Sequence, residues 1–380
     1  MAGRRSFWQQ LARRITCHGL LAATLALPGL AINPAMAGKD EAVLNVYNWA
    51  DYIDPQLIDE FSAEYGMKVN YDIYDSSEIV DTKLLTGRSG YDLVVHSASF
   101  SARLIPIGVY QPVDVSRLAN WHHIDEALVA KIRENFGQDV TGVPYMWGTT
   151  GFAYNRDMVM QRMADAPVGS AAMIFDPAIV SRFADCGVSL LDDPTSVIPM
   201  AMIYLGYPAN SVEPEHLAAV EAVLKSVRPY IKYFSSTKLM LDLPSQEVCV
   251  AMAWSGDYAV ATTRAAEAGL EINLAYTVPA EGAIGWYDVM YIPSDAPHPD
   301  NAYLFIDFML RPGVIARASN YIGYANANRD ATALVDPAIS SDPAIYPDLA
   351  TLQRLQPSVV LPPKLERRRS RTWTKVKTGL

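Results

Sequence analysis

The chain has 380 residues, half of them apolar, with 41 acidic and 31 basic side chains and a formal net charge of −10. That length suits roughly two domains of about 100–200 residues each, and the apolar half with its 10% aromatics excludes a disordered or collagen-like chain. Three cysteines exclude a disulfide-dense scaffold, and the acidic balance argues against binding a phosphate backbone.

Residues 1–37 read as an export signal. Arg4, Arg5, Arg13 and Arg14 form a basic opening with no acid, Gly19 to Ile32 is apolar, and Ala35-Met36-Ala37 is a small-x-small cleavage site. The apolar run is shorter than the about 20 residues a bilayer requires. Arg4-Arg5-Ser6-Phe7 is loosely similar to a twin-arginine signal, but ordinary export is the simpler reading. Removal of the signal leaves 27 basic against 41 acidic residues, a charge of −14, and two cysteines, Cys186 and Cys249. In an oxidising compartment these two either pair or remain buried thiols.

The next third alternates strand and helix. Val43 to Asn48 is β-rich, and Asp54 can cap a helix with Pro55 in its first turn and Leu57, Ile58, Phe61 and Tyr65 on one face, stopped by Gly66. Val69, Tyr71 and Ile73 alternate as a strand, Ser77 can cap a second helix ending near Gly87, and Tyr91 to His96 is a third strand. This β-α-β-α-β order predicts a parallel sheet in an α/β architecture. Val143 to Asn155 reads as a connector. Residues from about 156 to 230 are mostly helical, with Glu215 to Lys225 clearest; Val248 to Trp254, Ile272 to Val278 and Gly285 to Pro293 follow as strands, and Tyr303 to Leu310 as a helix stopped by Arg311-Pro312. The basic tail, with Lys364, Arg367, Arg368, Arg369 and Arg371, reads as a solvated surface.

No phosphate-loop, dinucleotide, zincin or nucleophile-elbow motif occurs, and His122-His123 are adjacent and so do not share a helix face. Cys186 and Cys249 lack metal or redox spacing. No metal and no cofactor is predicted, and the prior for an enzyme falls.

In open parallel sheets ligands sit beyond the carboxyl ends of strands. There this chain places Trp49, Asp51 and Tyr52; Ser97, Ala98 and Ser99; and Trp254, Ser255 and Asp257, while the strand from Gly285 carries Trp286 and Asp288. Aromatic faces attract ammonium groups by about 0.5–2 kcal/mol each, and carboxylates add charge-assisted hydrogen bonds. The set suits a flexible organic cation with charged ends and an apolar middle. Singly, each Trp is better explained by core packing, and Asp51 or Asp257 by helix capping; the repeat of the pattern gives the cleft reading its weight.

At this point the sequence resembles the periplasmic polyamine-binding proteins of ABC importers, closest to the putrescine-binding branch, from about residue 43 to the C-terminus. The resemblance is carried by VYNWADYI (46–53), DLVVHSASF (92–100), VPYMWGTTGFAYN (143–155), CGVSLLDDP (186–194), CVAMAWSGDY (249–258), YANAN (324–328) and WTKVK (373–377). It implies an α/β, two-lobed periplasmic binding protein type II fold, each lobe a mostly parallel sheet flanked by helices. The implied lobes are 38–145 with 279–330, and 146–278 with 331–380. It further implies that Trp49 and Trp254 stack on the ligand, that Tyr52 and Tyr324 line it, that Ser97 holds a terminal amine, that Asp257 and Asp288 bind ammonium groups, and that Cys186 and Cys249 form a disulfide.

Departures bear on ligand identity. Trp286 stands where putrescine binders have Phe and spermidine binders Trp; Asp193 stands where the spermidine branch has an acid; Ala50 replaces a Ser or Thr. Ser196 stands where polyamine binders carry a Glu, and losing that carboxylate should cost on the order of 1.5–3 kcal/mol unless Asp192 or Asp193 substitutes. Asp193 before Pro194 also fits a helix N-cap. Ser196→Glu is expected to tighten diamine binding. The resulting expectation is a non-enzymatic, periplasmic, monomeric protein that delivers a polyamine to an ABC permease and binds no nucleic acid. Alternatives are another amine-containing or amino-acid-like ligand, a ligand-presenting sensor, and an enzyme on the same scaffold with Cys249 as nucleophile.

Overall fold

The computed structural model describes residues 42–136 and 141–379; the export signal over 1–37 and its cleavage after Ala37 lie outside the described residues. In chain order the strands are β1 (Val43–Trp49), β2 (Lys68–Tyr74), β3 (Leu93–Ser97), β4 (Tyr110–Gln111), β5 (Val143–Asn155), β6 (Val188–Leu190), β7 (Tyr233–Phe234), β8 (Val250–Trp254), β9 (Leu274–Thr277), β10 (Ala283–Pro293), β11 (Ala325–Asn326) and β12 (Leu355–Pro357).

The first helix, Pro55–Tyr65, forms as its sequence dictates. Asp54 accepts a hydrogen bond from the Gln56 amide at 3.0 Å, and Gly66 ends the helix in the left-handed region at φ 64°. The second, Ser77–Leu85, starts one residue earlier than expected: Ser76 is the N-cap, and its side chain makes no capping bond.

The strands hydrogen-bond in the order β2-β1-β3-β10-β5-β8-β6-β7, with β4 and β12 on β10 and with β9 and β11 on β5. β1 is parallel to β2 and β3, as the β-α-β order requires, and β6 is parallel to β7 and β8. The two long strands between these blocks, β5 and β10, run antiparallel to their neighbours in this order, whereas β12 joins β10 in parallel. Within β5 the partner changes in one step: Thr149 faces Gly285 of β10, and Thr150 faces Trp254 of β8. The segment read as a connector is therefore a 13-residue strand that belongs to both blocks.

Each block has its own apolar core. Leu44, Phe61, Leu93, Ile306 and Phe308 pack in one, and Phe152, Phe183, Met200 and Val250 in another. A smaller cluster with Tyr47, Val80, Val94 and Val289 covers the opposite face of β1 and β3. Trp254 packs against both large cores.

The basic tail is a correction. It is a helix, Pro363–Thr378, that buries Arg369, Thr372, Trp373 and Val376. That spacing of three and four residues makes one inward stripe, so only the outer face is solvated. Among the described residues no helix is long and apolar enough to cross a membrane.

Candidate functional site

The sheet register assembles the site. β1 and β3 end at Trp49 and Ser97, and β8 ends at Trp254. On β10, Asp288 lies opposite Ser97, and Trp286 lies opposite Gly148 of β5. Residues more than 200 positions apart therefore meet at the point where β5 changes partner.

Two tyrosine–aspartate pairs form the centre. Tyr52 Oη donates to Asp288 Oδ2 at 2.8 Å, and Tyr324 Oη donates to Asp257 Oδ1 at 2.8 Å. The Tyr52 and Tyr324 rings meet edge-on with centroids 5.6 Å apart, and Trp286 meets Tyr324 edge-on at 5.1 Å. Edge-to-face contact at these separations is the preferred geometry for aromatic rings. Tyr145 donates to the Tyr52 carbonyl at 2.8 Å and fixes the turn that carries Tyr52.

Electrostatics set these carboxylates apart. Asp257 and Asp288 are only 8% and 7% exposed. Burial pushes both side chains up to about 7, against the hydrogen bonds from Tyr324 and Tyr52 that favour the ionised forms. The Trp49 indole N–H also favours ionised Asp288, although Nε1 makes no hydrogen bond of good geometry within the described protein. Asp257 Oδ2 and Trp286 Nε1 are likewise buried without a hydrogen-bond partner. Burial raises Tyr52 and Tyr324 well above the usual phenol value, so both remain O–H donors at any physiological pH. Two desolvated acids within an aromatic cluster, one with an unused oxygen, can attract and orient a cation.

The remaining expected residues are placed differently. Asp51 is exposed in a turn at φ 53°. Ser97 Oγ pairs with Ser99 Oγ at 2.9 Å. Asp193 is the N-cap of the helix Pro194–Tyr204: its Oδ1 accepts from the Thr195 amide and hydroxyl, and its Oδ2 accepts from Ser196 Oγ at 2.6 Å. Asp192 is held by Trp373 Nε1 at 3.0 Å and by Lys377 Nζ at 2.6 Å. Both acids that could replace the missing Glu are thus engaged elsewhere. Cys186 and Cys249 are joined in a disulfide with Cα atoms 5.5 Å apart. No group of acids, histidines or cysteines among the described residues could hold a metal ion.

Several site residues carried no sequence signal. Tyr145 and Tyr276 look like alternating strand residues, yet Tyr145 holds the Tyr52 carbonyl and Tyr276 Oη donates to the Thr149 carbonyl at 2.9 Å, where β5 changes partner. Gly148 and Gly256 matter through what stands above them, which only tertiary packing specifies.

The sequence pattern of bacterial extracellular solute-binding proteins matches residues 56–347. SpuD, a putrescine-binding periplasmic protein of Pseudomonas aeruginosa, is 42% identical over 361 residues, which cover 95% of this chain and 98% of its own length. PotF, a putrescine-binding periplasmic protein of Escherichia coli, is 40% identical over 364 residues, covering 95% and 97%. The crystal structure of PotD, a spermidine/putrescine ABC transporter substrate-binding protein of Streptococcus pneumoniae, shares the fold with a TM-score of 0.74 at 27% identity, covering 88% of this chain and 98% of that one. With a match of this span on a shared two-block α/β fold, the chain belongs to the family of bacterial extracellular solute-binding proteins.

Proposed function

We propose that this chain is a periplasmic, non-enzymatic solute-binding protein that captures a polyamine between two lobes and delivers it to the permease of an ABC importer. The lobes are 38–145 with 279–330, and 146–278 with 331–380, and residues 1–37 direct export. In support, β5 and β10 are the long strands shared by two separately cored blocks, and the near-full-length relatives are putrescine-binding periplasmic proteins. Closure of such lobes around a ligand is a hinge motion, and the protein acts as a monomer.

The observation that carries the ligand class is the pair of Tyr-bonded, buried aspartates, Asp257 and Asp288, each raised to about 7 by desolvation. A cation relieves that desolvation penalty, whereas an anion adds to it. In this proposal Asp257 and Asp288 each take one ammonium group, and Trp49, Trp254 and Trp286 cover the methylenes. Tyr52 and Tyr324 orient the acids, and Ser97 adds a hydroxyl. Asp51 stands at the rim, and Asp193 with Ser196 closes the far end without a free charge. Two available acids match a diamine better than a longer polyamine.

Calorimetry with putrescine, cadaverine, agmatine and spermidine tests this. Micromolar or tighter binding, strongest for a diamine, is expected. The absence of heat with all four at micromolar protein would overturn the amine reading.

A further inference from the structure

The helix Pro312–Ile322 ends at Gly323, which is left-handed at φ 76°, and the chain then runs Gly323-Tyr324 across the first turns of the helix Ser255–Glu267. The approach is closer than side chains allow. A Cβ added to Gly256 would lie 2.3 Å from Tyr324 Cε2 and Cζ and 2.4 Å from Cδ2. One added to Gly323 would lie 2.7 Å from Ala259 Cβ and 3.1 Å from the Gly256 carbonyl oxygen. The two sides of this seam belong to different cores: Ile322 and Tyr324 pack with the β1–β3 block, and Ala259 and Ala261 with the β6–β8 block. The residue after Gly256 is Asp257, which receives the Tyr324 hydroxyl at 2.8 Å.

Gly256 has no conformational reason to be glycine. It is helical and is absent from the positive-φ glycines, and Ala is the better helix former at such a position. The Tyr324 ring cannot move aside freely, because Trp286 and Tyr52 flank it edge-on at 5.1 and 5.6 Å and packed interiors hold little free space. The neighbouring crossing repeats the device, since a Cβ on Gly148 would lie 2.4 Å from Trp286 Cζ2 and 2.7 Å from Ser255 Oγ.

We propose that Gly256, with Gly323 opposite it, is the clearance that lets the two blocks close until Tyr324 reaches Asp257. Gly256 is a positioning residue: it does not face the ligand, but it sets the bond between a residue of one block and an acid of the other. This rests on the reading of the chain as a closing amine-binding protein.

The test is Gly256→Ala in the full chain. Putrescine affinity should fall roughly ten- to hundred-fold, as for loss of one charged hydrogen bond, mainly through faster dissociation. The thermal midpoint of the unliganded protein should also fall, because the added methyl meets a ring that its neighbours hold in place, and in a Tyr324→Ala background Gly256→Ala should cost no midpoint, because Ala favours the helix. In a Tyr324→Ala background, which removes the obstructing ring, Gly256→Ala should change the dissociation rate little. A crystal structure of Gly256→Ala should show Tyr324 Oη beyond hydrogen-bond distance of Asp257. Wild-type affinity and dissociation rate in Gly256→Ala, an equal loss in both backgrounds, or an intact Tyr324–Asp257 bond would each overturn the proposal. If the wild-type protein binds none of the four amines, the ligand reading fails, and the structure of the variant alone decides whether the seam needs its glycine.

Discussion

Tyr52 and Asp288 lie 236 residues apart and share a 2.8 Å hydrogen bond, and the pair Tyr324 and Asp257 repeats the arrangement on the other side of the Tyr52–Tyr324 ring contact. In each pair the phenol keeps its proton and the acid is held by burial near the point of ionisation. A group in that state responds both to pH and to an arriving cation.

The first prediction is linkage between ligand and protons. Alkylammonium groups stay charged to about pH 10, so below pH 8 only the acids titrate. Diamine affinity should rise with pH by up to about tenfold per unit for each acid still protonated, then level off above about 7. Calorimetry in buffers of different ionisation enthalpy should count about two protons released at pH 6, one from each acid, and almost none at pH 8.5. Proton-neutral binding at pH 6 would remove the basis of the idea.

Stability of the unliganded protein should move the opposite way. Because both acids are raised to about 7 when folded, the folded protein holds protons that the unfolded chain has released between about pH 4 and 7. Stability therefore falls as pH rises through that window and flattens above it. His96 opposes this in part: it is fully buried and lowered to about 3, so its contribution grows with pH up to about 6.5, where the unfolded imidazole is neutral. The decline should thus be nearly even from about pH 5 to 6.5 and fade above about 7, and a saturating diamine should abolish it. Chemical denaturation at half-unit pH steps, with and without putrescine, measures both.

Asp288→Asn and Asp257→Asn separate function from stability. Each should weaken diamine binding about 10- to 150-fold, the equivalent of 1.5–3 kcal/mol for a charged hydrogen bond. Above pH 7 each should raise the denaturation midpoint of the unliganded protein, because a buried group that resists ionisation has been replaced by a neutral one. Loss of both affinity and stability at pH 8 would instead assign these acids to the fold.

Much of this site was legible in the sequence because strand ends were legible. Trp49, Ser97 and Trp254 each end a hydrophobic run with clear β composition, and the parallel-sheet rule brings such ends together, whereas Asp288 lies mid-strand on the antiparallel β10 and meets Ser97 through the register. What sequence could not supply was pairing across distance. β5 reads as a connector because its two halves serve different neighbours, and Gly148 and Gly256 carry no local signal because their requirement comes from Trp286 and Tyr324 above them. The C-terminal helix was obscured by charge. Its inward stripe contains Arg369, a residue seldom buried, so the amphipathic pattern around Trp373 was masked.

The structure also reverses one substitution. Placing Glu at Ser196 looked like the restoration of a binding carboxylate. Ser196 is buried, however, and its hydroxyl donates to Asp193 Oδ2 at 2.6 Å. Ser196→Glu would remove that donor and set a second carboxylate beside the helix cap, where like charges repel. It should lower the denaturation midpoint without tightening diamine binding, and Asp193→Ala should cost about 0.5–2 kcal/mol as a lost cap with little change in affinity. Tighter binding by Ser196→Glu, measured by calorimetry, would show that this end of the cleft reaches the ligand.

The disulfide should act on stability and leave recognition almost untouched. Cys186 and Cys249 are 63 residues apart in sequence, and closing a loop of that length in the unfolded chain is worth about 4 kcal/mol in the entropic account, with 2–4 kcal/mol typical of measurement. In the folded protein the same two segments are already aligned: the Cys249 amide donates to the Gly187 carbonyl at 2.9 Å, and Val188 pairs with Val250. β8 then runs on to Trp254, with Asp257 in the helix that follows. The strand pairing, with no help from the sulfur bridge, thus suffices to place those residues. The Cys186→Ala/Cys249→Ala double variant should unfold at lower denaturant, by an amount corresponding to roughly 2–4 kcal/mol, while its putrescine affinity stays within about threefold of wild type, a change of under 1 kcal/mol. A large loss of affinity in a variant that is still folded would mean that the bridge, and not the β6–β8 pairing, holds Trp254 and Asp257 in place.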